Sequence, residues 1–100
     1  MKHLQKALDS LKSRYYHRFI TLRNIEVDEE KLSLCFKVQD GPIKEHGING
    51  LQASDMIEYV HALIHSLNNE FDCLENRMTL IKLQEALNWQ KIRTAERPRS

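Results

Sequence analysis

All three glycines of this 100-residue chain, Gly41, Gly47 and Gly50, fall within one stretch, "DGPIKEHGINGLQASD", which also holds Pro42, one of only two prolines. Glycine reaches positive φ and allows close backbone approach. A chain that confines glycine to one place confines its sharpest irregularity there as well. Asn49-Gly50 is a turn signal in its own right, and Pro42 with Gly41 directs the chain out of whatever precedes it. On either side the chain must be built from ordinary helix and strand residues. A chain of 100 residues supports a single hydrophobic core. The reading is therefore one domain, 1–100, made of an N-terminal unit (1–40), the glycine-rich connection (41–54) and a helical hairpin (55–97).

In the first unit, Leu4, Ala7, Leu8, Leu11 and Tyr15 recur at helical spacing and predict an amphipathic helix ending near Tyr16 to Arg18. Strict alternation follows: Leu32, Leu34, Phe36 and Val38 point one way, Ser33, Cys35, Lys37 and Gln39 the other. Upstream, Ile20 and Leu22 share one parity and Ile25 and Val27 the other, which places a bulge near Arg23–Asn24. "DEEK" (28–31) joins the two strands as a hairpin turn. After the glycines, Ser54 is the expected N-cap of a helix with Asp55 and Glu58 in its first turn. Met56, Ile57, Val60, Leu63, Ile64, Leu67 and Phe71 form its apolar stripe. Asp72 is a candidate cap for the last helix, which runs from about Leu74 to Ala95 and stops before Pro98. The expected class is α+β: helix, β-hairpin, antiparallel helical hairpin.

The last helix has more apolar faces than one neighbour can cover. At about 100° per residue, Leu74, Met78, Ile81 and Ile92 make one arc and Leu80, Leu83 and Leu87 a second. One arc packs on the preceding helix. The other is covered either within the chain, by the hairpin or first helix, or by a second copy in a homo-oligomer. Between the arcs run Glu75, Thr79, Lys82, Ala86, Trp89, Arg93 and Arg97, a stripe of cations, a hydroxyl and the single tryptophan. Arginine pairs bidentately with phosphate and stacks on bases, so the stripe suits a nucleotide. Solvated cations near a helix C-terminus are the simpler alternative.

Other functions find little support. Lys and Arg total 15 against 14 Asp and Glu, so the chain as a whole is no polycation, and linear nucleic acid is not the expected partner. No stretch approaches a membrane span and the start carries no signal-peptide apolar region, so the expected location is cytosolic. Cys35 and Cys73 form no CxxC pair and read as reduced thiols. His61 and His65 stand at i, i+4 but lack the HExxH carboxylate, so no metal is expected. Glu45 and His46 are adjacent, which alone makes no acid–base pair. Phosphate-binding and dinucleotide glycine motifs are absent. No enzyme signature and no cofactor site are read.

Two blocks carry a resemblance. One comprises Phe36, Gln39, Gly41 to Glu45, Gly47, Asn49 and Gly50. The other comprises Cys73, Glu75, Asn76, Lys82, Leu83, Glu85, Ala86, Leu87, Trp89, Arg93, Thr94 and Arg97. Over residues 36–97 the chain resembles the phage anti-defence sponges, the anti-CBASS and Thoeris anti-defence proteins that share a C-terminal helical-hairpin domain. Leu74 and the tail "PRS" depart from the family pattern, and the first 30 residues carry no match.

The resemblance implies a non-enzymatic protein acting in the cytoplasm of the infected bacterium. It would sequester cyclic oligonucleotide or cyclic ADP-ribose-type immune messengers, as a homo-oligomer (often a hexamer) with pockets between chains. It also implies ligand contacts at Asn76, Arg93 and Arg97: the arginines on phosphate, the asparagine on a base edge. Thr79 and Lys82 join them from the stripe, and Lys44 and Asn49 from the loop. Tyr15, or its neighbour Tyr16, would stack a base at a second pocket or pack as a buried aromatic. The alternative is a small oligomeric helical module that binds a protein and no nucleotide.

Overall fold

The computed structural model describes residues 3–14 and 24–96. Helix α1 (His3–Arg14) leads into a hairpin of β1 (Ile25–Asp28) and β2 (Ser33–Phe36). A single turn, α2 (Ile43–His46), interrupts the glycine-rich connection, and α3 (Ala53–Glu70) and α4 (Leu74–Glu96) form the helical hairpin. The α+β reading is borne out in this order of elements. Tyr15, Tyr16, the end of the first helix, Ile20, Leu22 and the bulge position Arg23 lie outside the described residues.

The core lies between α1, the hairpin and α3. Ala7, Leu8 and Leu11 of α1 are buried as their spacing predicts, against Ile25, Leu51, Tyr59 and Ala62. Leu34 and Phe36 line its edge. The strands are antiparallel with Ile25 opposite Phe36 and Asp28 opposite Ser33. The alternation stops short at both ends of β2. Leu32 adopts φ 50° in the turn and is 61% exposed, so the turn spans positions 29–32 and Leu32 joins it. Val38 also stays exposed, because the chain there leaves β1 and bridges in parallel to Leu51.

Two helix starts differ from expectation. The cap of α3 is Gln52: its backbone N–H donates to Asp55 Oδ2 at 3.0 Å in a reciprocal capping box with the Asp55 backbone. At α4 the residue is Cys73, whose Sγ accepts the N–H of Asn76 at 3.4 Å. Asp72 instead pairs with Arg77, 3.3 Å away.

The larger correction concerns α3. Its buried residues are Asp55, Glu58, Tyr59 and Ala62, a face turned from the Met56–Ile57–Val60–Leu63–Ile64–Leu67 stripe by roughly two-fifths of a revolution. Polar bonding explains why α1 meets the less apolar face. Tyr59 donates its hydroxyl to the carbonyl of Leu4 and packs edge-on against Phe36, centroids 5.9 Å apart. His3 Nδ1 bonds Ser66 Oγ at 2.8 Å and His3 Nε2 the Glu70 carboxylate at 2.5 Å. The hairpin turn latches the same corner: Glu29 Oε1 accepts the N–H of Gln5 at 2.7 Å, placing a carboxylate on the first turn of α1, where the helix dipole favours it.

Burial, and then the nearby carboxylates of Glu29 and Asp9, push the Tyr59 hydroxyl up to about 12. The folded protein therefore holds this proton longer than the unfolded chain does, whose tyrosine titrates near 10. Stability is intact below pH ~10 and falls as pH rises from there through ~12, by roughly 2–3 kcal/mol from this group. Chemical denaturation from pH 8 to 12 checks it; the decline should shrink in Tyr59→Phe, which lacks the titrating proton.

Candidate ligand-binding site

The glycine-rich connection is rigidly tied. Leu51 N–H donates to Lys37 O at 2.7 Å and Gln39 N–H to Leu51 O at 2.9 Å. Asn49 then clamps Asp40 from both sides. Its Oδ1 accepts the Asp40 N–H at 2.8 Å and its Nδ2 donates to the Asp40 carbonyl at 2.8 Å. Gln39 crosses the loop, donating to the carbonyls of Gly41 and Gly47 and accepting from Asn49 N–H at 3.0 Å. The glycines now have physical reasons. Gly41 and Gly47 sit at φ 78° and 67°. A Cβ on Gly50 would stand 2.4 Å from the Val38 carbonyl carbon. Gln39 is the organising residue of the loop; the sequence reading placed it on the outward side of the strand and among the resemblance residues, and gave it no structural role.

Helix α4 is 23 residues long without glycine or proline. Its Leu80, Leu83 and Leu87 arc turns inward, with Leu87 5% exposed, and the helix packs along α3. The opposite arc stays open: Leu74, Met78, Ile81 and Ile92 are exposed, and Trp89 is 69% exposed. Among the described residues nothing covers this face, so one arc is satisfied within the chain and the other is not.

The expected site residues fall into two groups. On α4, Asn76 is half-buried, and Thr79, Lys82 and Arg93 are exposed. Thr79 bonds back to the carbonyl of Glu75 at 2.8 Å, and Lys82 lies 3.7 Å from Glu85. In the connection, Lys44 is exposed on α2 and Asn49 holds the clamp. Arg97 and Tyr15 lie outside the described residues. Asn76 and Arg93 are separated by roughly 25 Å along one helix axis, farther than a small cyclic nucleotide spans, so a single chain does not bring them together.

A hollow of about 630 Å³ opens elsewhere, beside the hairpin, lined by Gln5, Val27, Glu26, Asp28, Glu29 and Glu30 among others. Its carboxylates repel an anion, and none of the expected residues lines it. Glu45 and His46 stand 3.8 Å apart at the surface. Among the described residues no group of three or more His, Cys, Asp or Glu side chains is placed to hold a metal, and no helix is long and apolar enough to cross a membrane.

The described parts define a small α+β chain with a clamped loop and a long helix exposing an apolar and cationic side. It is 50% identical over 60 residues to a Bacillus phage SBSphiJ7 protein named Thoeris anti-defense 1; the alignment covers 59% of this chain and 42% of that protein. The chain thus spans less than half of the relative's length. The likeness to the phage anti-Thoeris family drawn from the two sequence blocks is borne out by this match. No model of a known protein family matches the chain, and no solved structure does.

Proposed function

We propose that this protein counters Thoeris immunity by binding a cyclic nucleotide-type messenger and holding it uncleaved, as a homo-oligomer in the cytoplasm of the infected cell. The observation that carries this reading is the 50% identity over 60 residues to a protein named for anti-Thoeris defence. The chemistry of α4 supports it: a messenger of this class is an anion, and Lys82 and Arg93 are exposed on one helix. The distance between Asn76 and Arg93 supports an assembly in which several copies contribute to each pocket.

Capture without turnover demands tight binding. Nanomolar affinity corresponds to about −12 kcal/mol, within reach of several charged hydrogen bonds and base stacks worth ~1–3 kcal/mol each. The test is calorimetry of the purified protein with cyclic di- and trinucleotides and cyclic ADP-ribose derivatives, followed by heat release and mass spectrometry. Saturable binding with return of intact ligand is the expected result. Linear products would reveal hydrolysis. No binding across the panel would leave the protein-interaction alternative, to which the open apolar arc of α4 also lends itself.

A further inference from the structure

One imidazole outside the candidate ligand site is held between a hydroxyl and a carboxylate. Ser66 and Glu70 stand about one turn apart on the same side of α3, roughly 6 Å along its axis, and the ring of His3 bonds to both. His3 Nδ1 lies 2.8 Å from Ser66 Oγ and His3 Nε2 lies 2.5 Å from Glu70 Oε2. A carboxylate only accepts, so Nε2 carries the hydrogen. The neutral ring then turns a bare Nδ1 to Ser66, whose hydroxyl donates to it. Nucleophile, base and orienting carboxylate therefore follow one another in the order that activates a serine. His3 is 9% exposed, so the ring is fixed. Ser66 is half-buried and the Glu70 side chain is 59% exposed, so the corner meets solvent. Because α1 begins at His3, the positive end of its dipole borders the same serine and favours a negative oxygen there.

We propose that Ser66 is an activated nucleophile that takes acyl groups from small esters, with His3 as its base and Glu70 as the positioning residue. Ser66 Oγ forms a bond to the ester carbonyl carbon as its proton passes to His3 Nδ1. The imidazolium so formed is held by the Glu70 carboxylate. The carbonyl then re-forms, the bond to the leaving alcohol breaks, and the alcohol departs with the proton from Nδ1. Water repeats the sequence on the acyl-serine, which releases a carboxylic acid and restores the Ser66 hydroxyl. Ester and water are the only reactants consumed. The site lies where α3 meets α1 and shares no residue with the cationic stripe of α4. It acts on carbon esters, which leaves a captured messenger whole.

A fluorophosphonate probe, which bonds stably to activated serines, tests this on the full chain, with the adduct located by peptide mass spectrometry. An adduct on Ser66 and on no other serine is expected. His3→Ala should slow labelling about 100-fold, the scale of a lost general base. Glu70→Gln should slow it about tenfold or more. Glutamine is isosteric and keeps a hydrogen bond, so a merely structural contact would not register the change. Its amide N–H can instead turn the ring hydrogen to Nδ1, facing Ser66, and Glu70→Asp should restore part of the rate. No adduct on Ser66, or labelling of Glu70→Gln at the parent rate, overturns the proposal. So does parent-rate labelling of His3→Ala with an unchanged far-UV circular dichroism spectrum; if that variant loses helix, Glu70→Gln decides. The parent should also hydrolyse p-nitrophenyl acetate faster than Ser66→Ala, and equal rates overturn the acyl transfer.

Discussion

A Gly50→Ala variant is expected to lose roughly 3–5 kcal/mol of stability, a large share of what so small a domain possesses. The added methyl would lie 2.4 Å from the carbonyl carbon of Val38 and 2.6 Å from both its oxygen and the Gln39 nitrogen. Those are main-chain atoms, so no rotamer change relieves the clash. The Val38–Leu51 bridge must open, and with it the bonds from Leu51 to Lys37 and from Gln39 to Leu51. Each is worth about 1 kcal/mol net, and overpacking adds about 1–3 kcal/mol. Gly47→Ala is the matched control. Its Cβ would meet nothing within 4 Å, and only its φ of 67° resists substitution, at a cost of about 1–3 kcal/mol. Urea midpoints of the two variants should separate accordingly. Equal midpoints would mean that the approach to Val38 relaxes cheaply.

The second large effect concerns the ligand. Arg93→Ala should weaken messenger binding by roughly 10- to 100-fold, the scale of one lost charge-assisted contact. Arg93→Lys should fall between, because an ammonium keeps the charge but not the planar fork. The measurement is calorimetry at a protein concentration well above that needed for assembly, so that loss of the site is read apart from loss of pairing. Unchanged affinity would take Arg93 out of the pocket.

Local patterns were legible in the sequence wherever one neighbour decided the outcome. The spacing of Ala7, Leu8 and Leu11 located the buried side of α1, and the three glycines located the tight connection. The two arcs of α4 were equally plain, since Leu80, Leu83 and Leu87 stand opposite Ile81 and Ile92 on any helical wheel. The face of α3 was not legible. Hydropathy pointed to Ile57, Val60 and Ile64, while Asp55, Glu58, Tyr59 and Ala62 are the buried residues and α1 docks on Tyr59 and Ala62, with Ser66 and Glu70 farther along. A buried carboxylate that closes a capping box, or a phenol that reaches a carbonyl across the interface, is hidden from any reading that equates burial with apolarity. Site residues were harder again. Asn76 and Arg93 stand roughly 25 Å apart on one helix, so the pocket proposed for them would need a second copy, which no single-chain pattern encodes.

The clamp on Asp40 has a chemical consequence for the lifetime of the molecule. An asparagine followed by glycine is the pair most prone to deamidate, through attack of the next main-chain nitrogen on the side-chain amide carbon. In the folded loop both polar atoms of Asn49 are pinned to Asp40, which holds the amide back from cyclising. Hydrolysis would set a carboxylate against the Asp40 carbonyl, acceptor against acceptor, and would remove one of the two bonds of the clamp. The clamp therefore shields the very side chain on which it depends.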